Sequence, residues 1–329
     1  MTDDTDAHTD RDRDADADTD TDTDADRDTQ TDTETETEPA TDDSSRLPRI
    51  GPGRLALYGA LLALVIGYLS PLYGGLTTAF KTQEAYRETS PLQPPIELLS
   101  FPHLDGFTVD PWFTAGGELA MGMINSFALT IPAAVFSALL GSLAAYGLTK
   151  VNWRGQAFLL ALFLAAVFIP YQAVLVPLRQ FWSIVDISGL HERGELVELI
   201  ITHIAYGTPI CTVLFRSYYQ TLDDELIEAA RLDGASLARI YRKIVLPLSV
   251  PMFAVTLIYQ FTQIWNDFLF ALVLLSDRAN YVVTLELNAL QGAMATDYGV
   301  QMAGAFIAAL PTILVYIMFG EQFAKGQTM

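Results

Sequence analysis

Six long runs of apolar residues, nearly free of charge, limit what this chain can fold into. The first, Leu55 to Phe80, is 26 residues long. As a helix rising 1.5 Å per residue it extends roughly 39 Å, enough to cross a bilayer with some tilt. The others run over about 126–149, 156–182, 196–218, 245–275 and 300–320. Inside a bilayer no water satisfies the backbone amides, so runs of this length form helices. The expected fold class is an all-α polytopic membrane protein with six transmembrane helices.

Charge is segregated from these runs. Residues 1–46, a near-repeat of Thr and Asp, hold 19 acidic residues and 4 arginines. The remaining 283 residues hold 20 acidic and 15 basic ones, so the net charge of −20 belongs mostly to the tail. A segment so poor in apolar side chains cannot offset its ordering entropy, and residues 1–48 are expected to be a disordered acidic tail ahead of a membrane domain over 49–329. It has neither the basic start nor the apolar core of a signal peptide, which leaves the first span as an uncleaved anchor. The tail reads as a solvated extension of the sort expected in a salt-adapted organism such as a halophilic archaeon, with a regulatory or partner-binding tail as the alternative. Acidity of this kind excludes nucleic acid as a partner. The single Cys211 excludes an intrachain disulfide, and no CxxC or Cys/His cluster points to a metal. His203, inside an apolar run, reads as a packed residue rather than a ligand.

Loop charge orients the spans. With the N-terminus inside, 11 Lys and Arg residues from Arg46 to Lys325 fall on the cytoplasmic side and 5 (Lys81, Arg87, Arg179, Arg193 and Arg278) outside. That asymmetry follows the positive-inside rule and places both termini in the cytoplasm of a multi-pass cell-membrane protein. The stretch from Lys81 to about Asn125, broken by five prolines, is expected to lie along the outer surface.

Between the fourth and fifth spans lies a charged cytoplasmic stretch, Thr221 to Leu248. Thr221 can cap a helix whose first turn holds Asp223, Asp224 and Glu225, acids suited to a positive helix N-terminus. Leu226, Ile227, Ala230 and Leu232 give it an apolar side. Gly234 supplies the stop, because glycine takes the left-handed conformation at little cost. Ser236 can cap a second helix through Ile240 to Ile244. Two short helices meeting at a glycine turn on a membrane surface make a docking element.

Glu228-Ala229-Ala230, then Gly234 after three residues, then Ile244-x-Leu246-Pro247 after nine more, resembles the EAA signature of ABC importer membrane subunits. The resemblance implies the six-span ABC importer permease fold with a cytoplasmic EAA coupling helix. It implies docking on a pair of ATP-binding subunits through Asp224, Glu228, Ala229, Ala230, Asp233, Gly234, Ile244, Leu246 and Pro247. It further implies a second permease subunit, most simply in a heterodimer, and an extracellular substrate-binding protein. The chain has no GxxxxGKS/T loop, so it is expected to be a transport subunit and not an enzyme, with ATP and Mg on the partner and no cofactor of its own.

Polar residues inside the spans mark the path. A carboxylate deep in an apolar run, such as Asp267, faces the bundle or water, because exposure to lipid costs about 2.5–3.5 kcal/mol. Gln260, Gln263 and Asp267 follow an i, i+3, i+7 spacing that shares one helical face. Trp265-Asn266-Asp267 resembles a stretch of carbohydrate-importing permeases, as does Pro170-Tyr171-Gln172. Amides, hydroxyls and stacking aromatics suit an uncharged sugar, so Tyr171, Gln172, Tyr259, Gln260, Gln263, Asn266 and Asp267 are the substrate-path candidates. Asn266 and Asp267 can equally be structural, satisfying one another or a partner. Asn125-Ser126 reads as a helix cap opening the second span. By resemblance to maltose-type permeases, Thr284, Glu286 and Asn288 in the external loop 276–299 reach the binding protein. Importers of a polyamine, an amino acid or glycerol phosphate are alternatives, although an anionic solute favours a basic residue in the path, and none stands among the path candidates. An ion-coupled secondary carrier would show repeated intramembrane acids and an inverted repeat, and a membrane enzyme would show clustered catalytic groups; neither pattern stands out.

Overall fold

The computed structural model describes residues 52–95, 106–294 and 296–326, and the acidic tail lies outside them. The described residues from 58 onward belong to one compact body. Among the described residues the regular elements are helices, with one isolated bridge between Lys81 and Phe107.

Helix α1 (Pro52–Thr78) is followed by the short α2 (Gln83–Glu88) and the 40-residue α3 (Asp110–Thr149). Next come α4 (Gln156–Phe168), a 3-10 turn at Tyr171–Val174, α5 (Leu175–Val185) and α6 (Gly194–Tyr219). A helical pair follows, α7 (Asp224–Leu232) and α8 (Leu237–Ile240), the latter running through a π turn at Tyr241–Val245 into α9 (Leu246–Leu248). The last four are α10 (Val250–Trp265), α11 (Leu269–Leu274), α12 (Val283–Ala293) and α13 (Tyr298–Gly326). Among the described residues five helical segments are long and apolar enough to cross a membrane, or six when Leu237–Leu248 and Val250–Trp265, bent by 75°, count as one span.

Helix α3 is the axis of the bundle. At 1.5 Å per residue its length is about 60 Å, twice the hydrocarbon thickness of a bilayer. The segment expected to be outer loop up to Asn125 is therefore helical from Asp110, and Pro111 at the first turn is the residue that starts it. One face of α3 carries Ala134, Ala138, Gly141 and Ala145, all buried. Small side chains at this spacing let two backbones approach closely, which is how membrane helices pack when lipid is as apolar as the helix. Against that stripe lies α6: a Cβ on Gly141 would sit 2.4 Å from Cys211 Cβ and 2.9 Å from the Thr212 backbone nitrogen.

Two expected spans are broken. The run 156–182 is interrupted at Pro170, which cannot donate an amide, and α4 alone has 13 residues. The run 245–275 is interrupted after Trp265. Helix α1 presents apolar surface on all sides: Leu61, Leu62, Leu64, Ile66 and Tyr68 are at least 50% exposed. Such a surface is stable only against lipid or another apolar chain.

Candidate functional site

The two broken spans meet at a cavity of about 320 Å³. Pro170 ends α4 and turns Tyr171 inward, while the freed Ile169 carbonyl accepts a hydrogen bond from Tyr206 Oη at 3.2 Å. From α6 come His203, Tyr206 and Gly207; from α10 come Tyr259, Gln260 and Gln263; Asn266, Asp267 and Phe270 complete the wall. Gly207 lies under Gln260, and a Cβ there, 2.0 Å from Nε2, would displace the glutamine side chain. Gln263 Nε2 donates to Tyr259 Oη at 3.1 Å. Tyr171 and Tyr206 both pack on Phe270, with ring centroids 5.5 Å and 5.4 Å away.

Six of the seven path candidates line this cavity, and Gln172 does not; it is exposed on the 3-10 turn. Asp267 arrives there by a different route from the one its spacing implied. Helix α10 ends at Trp265, so Asp267 does not share its helical face with Gln260 and Gln263. Instead its carboxylate caps α11, accepting from the amides of Phe270 at 3.5 Å and Ala271 at 3.2 Å. Asn266 Nδ2 donates back to the Thr262 carbonyl at 2.8 Å, and Trp265 Nε1 ties the break to Ala308 on α13 at 2.9 Å. Asn266 and Asp267 are therefore structural and cavity-lining at once. His203, read from the sequence as a packed residue, is buried and also lines the cavity, with Nε2 3.5 Å from Asp267 Oδ2. An ionisable residue inside a span was the available signal.

The helical pair at the opposite end of α3 is locally determined. Asp223, not Thr221, caps α7, accepting from the Glu225 amide at 2.9 Å, while Thr221 Oγ1 donates to the Tyr218 carbonyl. Gly234 has φ 77°, and the Ala235 and Gly234 amides donate to the Ala230 and Arg231 carbonyls, each at 3.0 Å. That pair of bonds is a Schellman closure. Ser236 caps α8 through the Arg239 amide at 3.4 Å.

The candidate docking residues divide by orientation. Ala230, Ile244 and Leu246 pack on the chain's own buried cluster, and Asp224 accepts from Lys150 Nζ at 2.6 Å. Glu228, Ala229, Asp233, Gly234 and Pro247 are exposed, as is Leu232 at 89%. Residues outside the signature fasten this element to the bundle. Ser142 Oγ, buried on α3, bonds both Tyr219 Oη at 2.6 Å and Tyr241 Oη at 2.8 Å. Arg231 donates to the Lys150 carbonyl. Ser142→Ala is expected to strand two buried phenols and to destabilise the folded protein by about 1–3 kcal/mol. Thermal unfolding of the detergent-solubilised variant measures this, and an unchanged midpoint removes the bridge as a structural tie.

In the N-terminal half of α3, Asn125 is not a cap. It lies mid-helix, fully buried, with Nδ2 donating to the Ala279 and Tyr281 carbonyls at 2.9 Å each and Oδ1 accepting from Arg193 at 2.6 Å. Ser126 Oγ accepts from the Val283 amide at 2.8 Å. The loop expected to reach outward is thereby drawn in: Thr284 Oγ1 donates to the Asp267 carbonyl at 2.7 Å, Glu286 is buried against Arg278, and Asn288 alone of the three is exposed. The hydrogen-bonded Glu286 carboxylate raises the Arg278 pKa from its ordinary value. Asn125→Ala removes an acceptor and two donors from a buried site, so it is expected to cost about 1–3 kcal/mol. Faster proteolysis within 275–282 is the expected signature, and unchanged cleavage counts against the clasp.

A partly open cavity lined by amides and aromatic rings, in a bundle jacketed by apolar side chains, suits a membrane transport component. Residues 137–321 match the family described as binding-protein-dependent transport system inner membrane component. The chain is 46% identical over 303 residues to the xylose/arabinose import permease protein XacI of Haloferax volcanii, covering 87% of this chain and 95% of that one. It is 28% identical over 276 residues to the glucose import system permease protein GlcU of Saccharolobus solfataricus, covering 82% and 91%. A chain of a bacterial ABC transporter involved in the import of the acidic polysaccharide alginate shares the fold, with a TM-score of 0.65 at 18% identity over 81% of this chain and 95% of that one. This chain belongs to the family of binding-protein-dependent inner-membrane permease subunits of ABC importers. It is a multi-pass transport subunit and not an enzyme; in such importers an ATP-binding subunit hydrolyses ATP and a substrate-binding protein delivers the solute.

Proposed function

We propose that this chain forms half of the translocation path for a neutral sugar. Both termini lie in the cytoplasm, and a second, different permease subunit supplies the other half. Carrying this reading is the cavity, whose wall combines two glutamines, an asparagine, a histidine, an aspartate and aromatic rings with no Lys or Arg. Amides and hydroxyls exchange hydrogen bonds with sugar hydroxyls, aromatic rings cover the sugar's C–H faces, and the absence of a cation disfavours anionic solutes. Two relatives named for xylose/arabinose and for glucose import support the same substrate class. The exposed face of α7, with Glu228, Ala229 and Leu232, docks on the ATP-binding subunit, and ATP and Mg are held there. Exposed α1 faces lipid or the sister permease.

Purification of the tagged chain from native membranes in gentle detergent tests the reading. Recovery of an ATPase, a second permease and a binding protein that takes a neutral sugar, followed by ATP-dependent uptake of that sugar in proteoliposomes, is the expected result. A binding protein specific for an anionic or cationic solute overturns the sugar assignment.

A further inference from the structure

Two groups in the cavity stand close without completing a hydrogen bond. His203 on α6 keeps 7% of its side-chain surface accessible, and its Nε2 has no hydrogen-bond partner. The Asp267 carboxylate, 9% accessible, stands 3.5 Å from that nitrogen. A charge-assisted N–H···O bond closes to about 2.7–2.9 Å, so this is an open donor–acceptor pair. Capping α11 uses only part of the carboxylate's capacity, since two oxygens offer about four acceptor sites. Phe270 meets the imidazole edge to face, with centroids 5.5 Å apart and planes at 82°, and this contact fixes the ring's orientation. A metal does not account for the pair: no group of three or more His, Cys, Asp or Glu residues suited to a metal occurs among the described residues.

We infer that His203 Nε2 and the Asp267 carboxylate together read one hydroxyl group of the transported sugar, an inference that rests on the sugar path proposed above. A hydroxyl is at once a donor and an acceptor. Its oxygen, beside the pair at about 2.8 Å from each partner, bridges them, accepting from Nε2–H and donating to Oδ2, and its entry uncovers the buried Nε2. No proton changes owner. Tyr171, Tyr206 and Phe270 supply the apolar wall that holds the ring against this fork. A site built to bond a hydroxyl discriminates against the analogue that lacks it, because the buried fork is then left unpaired.

The test uses the whole complex in proteoliposomes, with the binding protein saturated in turn by the parent sugar and by each of its monodeoxy analogues. Uptake and binding-protein-stimulated ATP hydrolysis are read from the same vesicles. In the wild type one analogue is expected to be moved at least tenfold more slowly than the parent. In His203→Ala and Asp267→Asn that ratio falls to near one while the other ratios hold, and His203→Gln, which keeps a side-chain N–H donor, restores part of the discrimination. Unchanged ratios in both variants overturn the inference and leave the sugar-path function intact. Equal losses for every sugar, with a lowered unfolding temperature, also overturn it by making the pair purely structural. A wild-type complex that moves no sugar overturns the underlying function itself.

Discussion

Gly234→Val is expected to abolish ATP-driven, binding-protein-dependent uptake while the protein still reaches the membrane at normal abundance. At φ 77° the backbone is in the left-handed region, where an ordinary L-residue costs about 1–2 kcal/mol and a β-branched one more. No atom lies within 4 Å of the added Cβ, so the defect is conformational and not a clash within the chain. Relieving the strain opens the closure at Ala230 and Arg231, and α7 no longer keeps its angle to α8. The spans, which fold around α3 and α6, are untouched. Gly234→Asn is the control, because asparagine tolerates the left-handed region, and it is expected to keep much of the uptake. Quantifying both variants in membranes, then measuring uptake and stimulated ATP hydrolysis, decides the matter. Normal uptake by the valine variant removes the turn from the coupling path.

The largest structural effect is expected at Gly141. A side chain there meets Cys211 Cβ at 2.4 Å and the backbone of Cys211 and Thr212 at 2.9 Å, and backbone cannot rotate away. Overpacking of a well-fitted interface costs about 1–3 kcal/mol and occasionally more. Gly141→Val forces apart the central helix pair, so it is expected to lie above that range, with loss of folded protein. Gly147, on the same helix with nothing within 4 Å of an added Cβ, is the comparison. Gly147→Ala is expected to be neutral or stabilising by about 0.5–1 kcal/mol, since alanine favours helix. Unfolding temperatures of the two purified variants separate packing from propensity, and equal behaviour discards the close-approach account.

Much of the chain was legible because its determinants are local. Apolar length defines a helix in a bilayer wherever it occurs, and the turn at Gly234 with its cap at Ser236 depends on a few neighbouring residues. The cavity's amides and aromatics stood out because a polar side chain inside an apolar run has few tolerable environments. Readings failed where an isolated signal outweighed its context. Asn125 has the chemistry of a cap, but Pro111 had already started the helix fourteen residues earlier. Gln260, Gln263 and Asp267 fit a helical face, but that face ends at Trp265.

The sequence by itself therefore determined where apolar helices form, the glycine turn and the polar character of the path, since each follows from composition within one helix length. Tertiary structure alone decided which of those polar groups meet. His203 and Asp267 are 64 residues apart in the chain, and only the packing of α6 against the broken end of α10 brings them within 3.5 Å. The Ser142 bridge and the Asn125 clasp likewise join segments dozens of residues apart. Such contacts depend on how small residues let α3 and α6 approach, and that distance belongs to the assembled bundle and to no single stretch of chain.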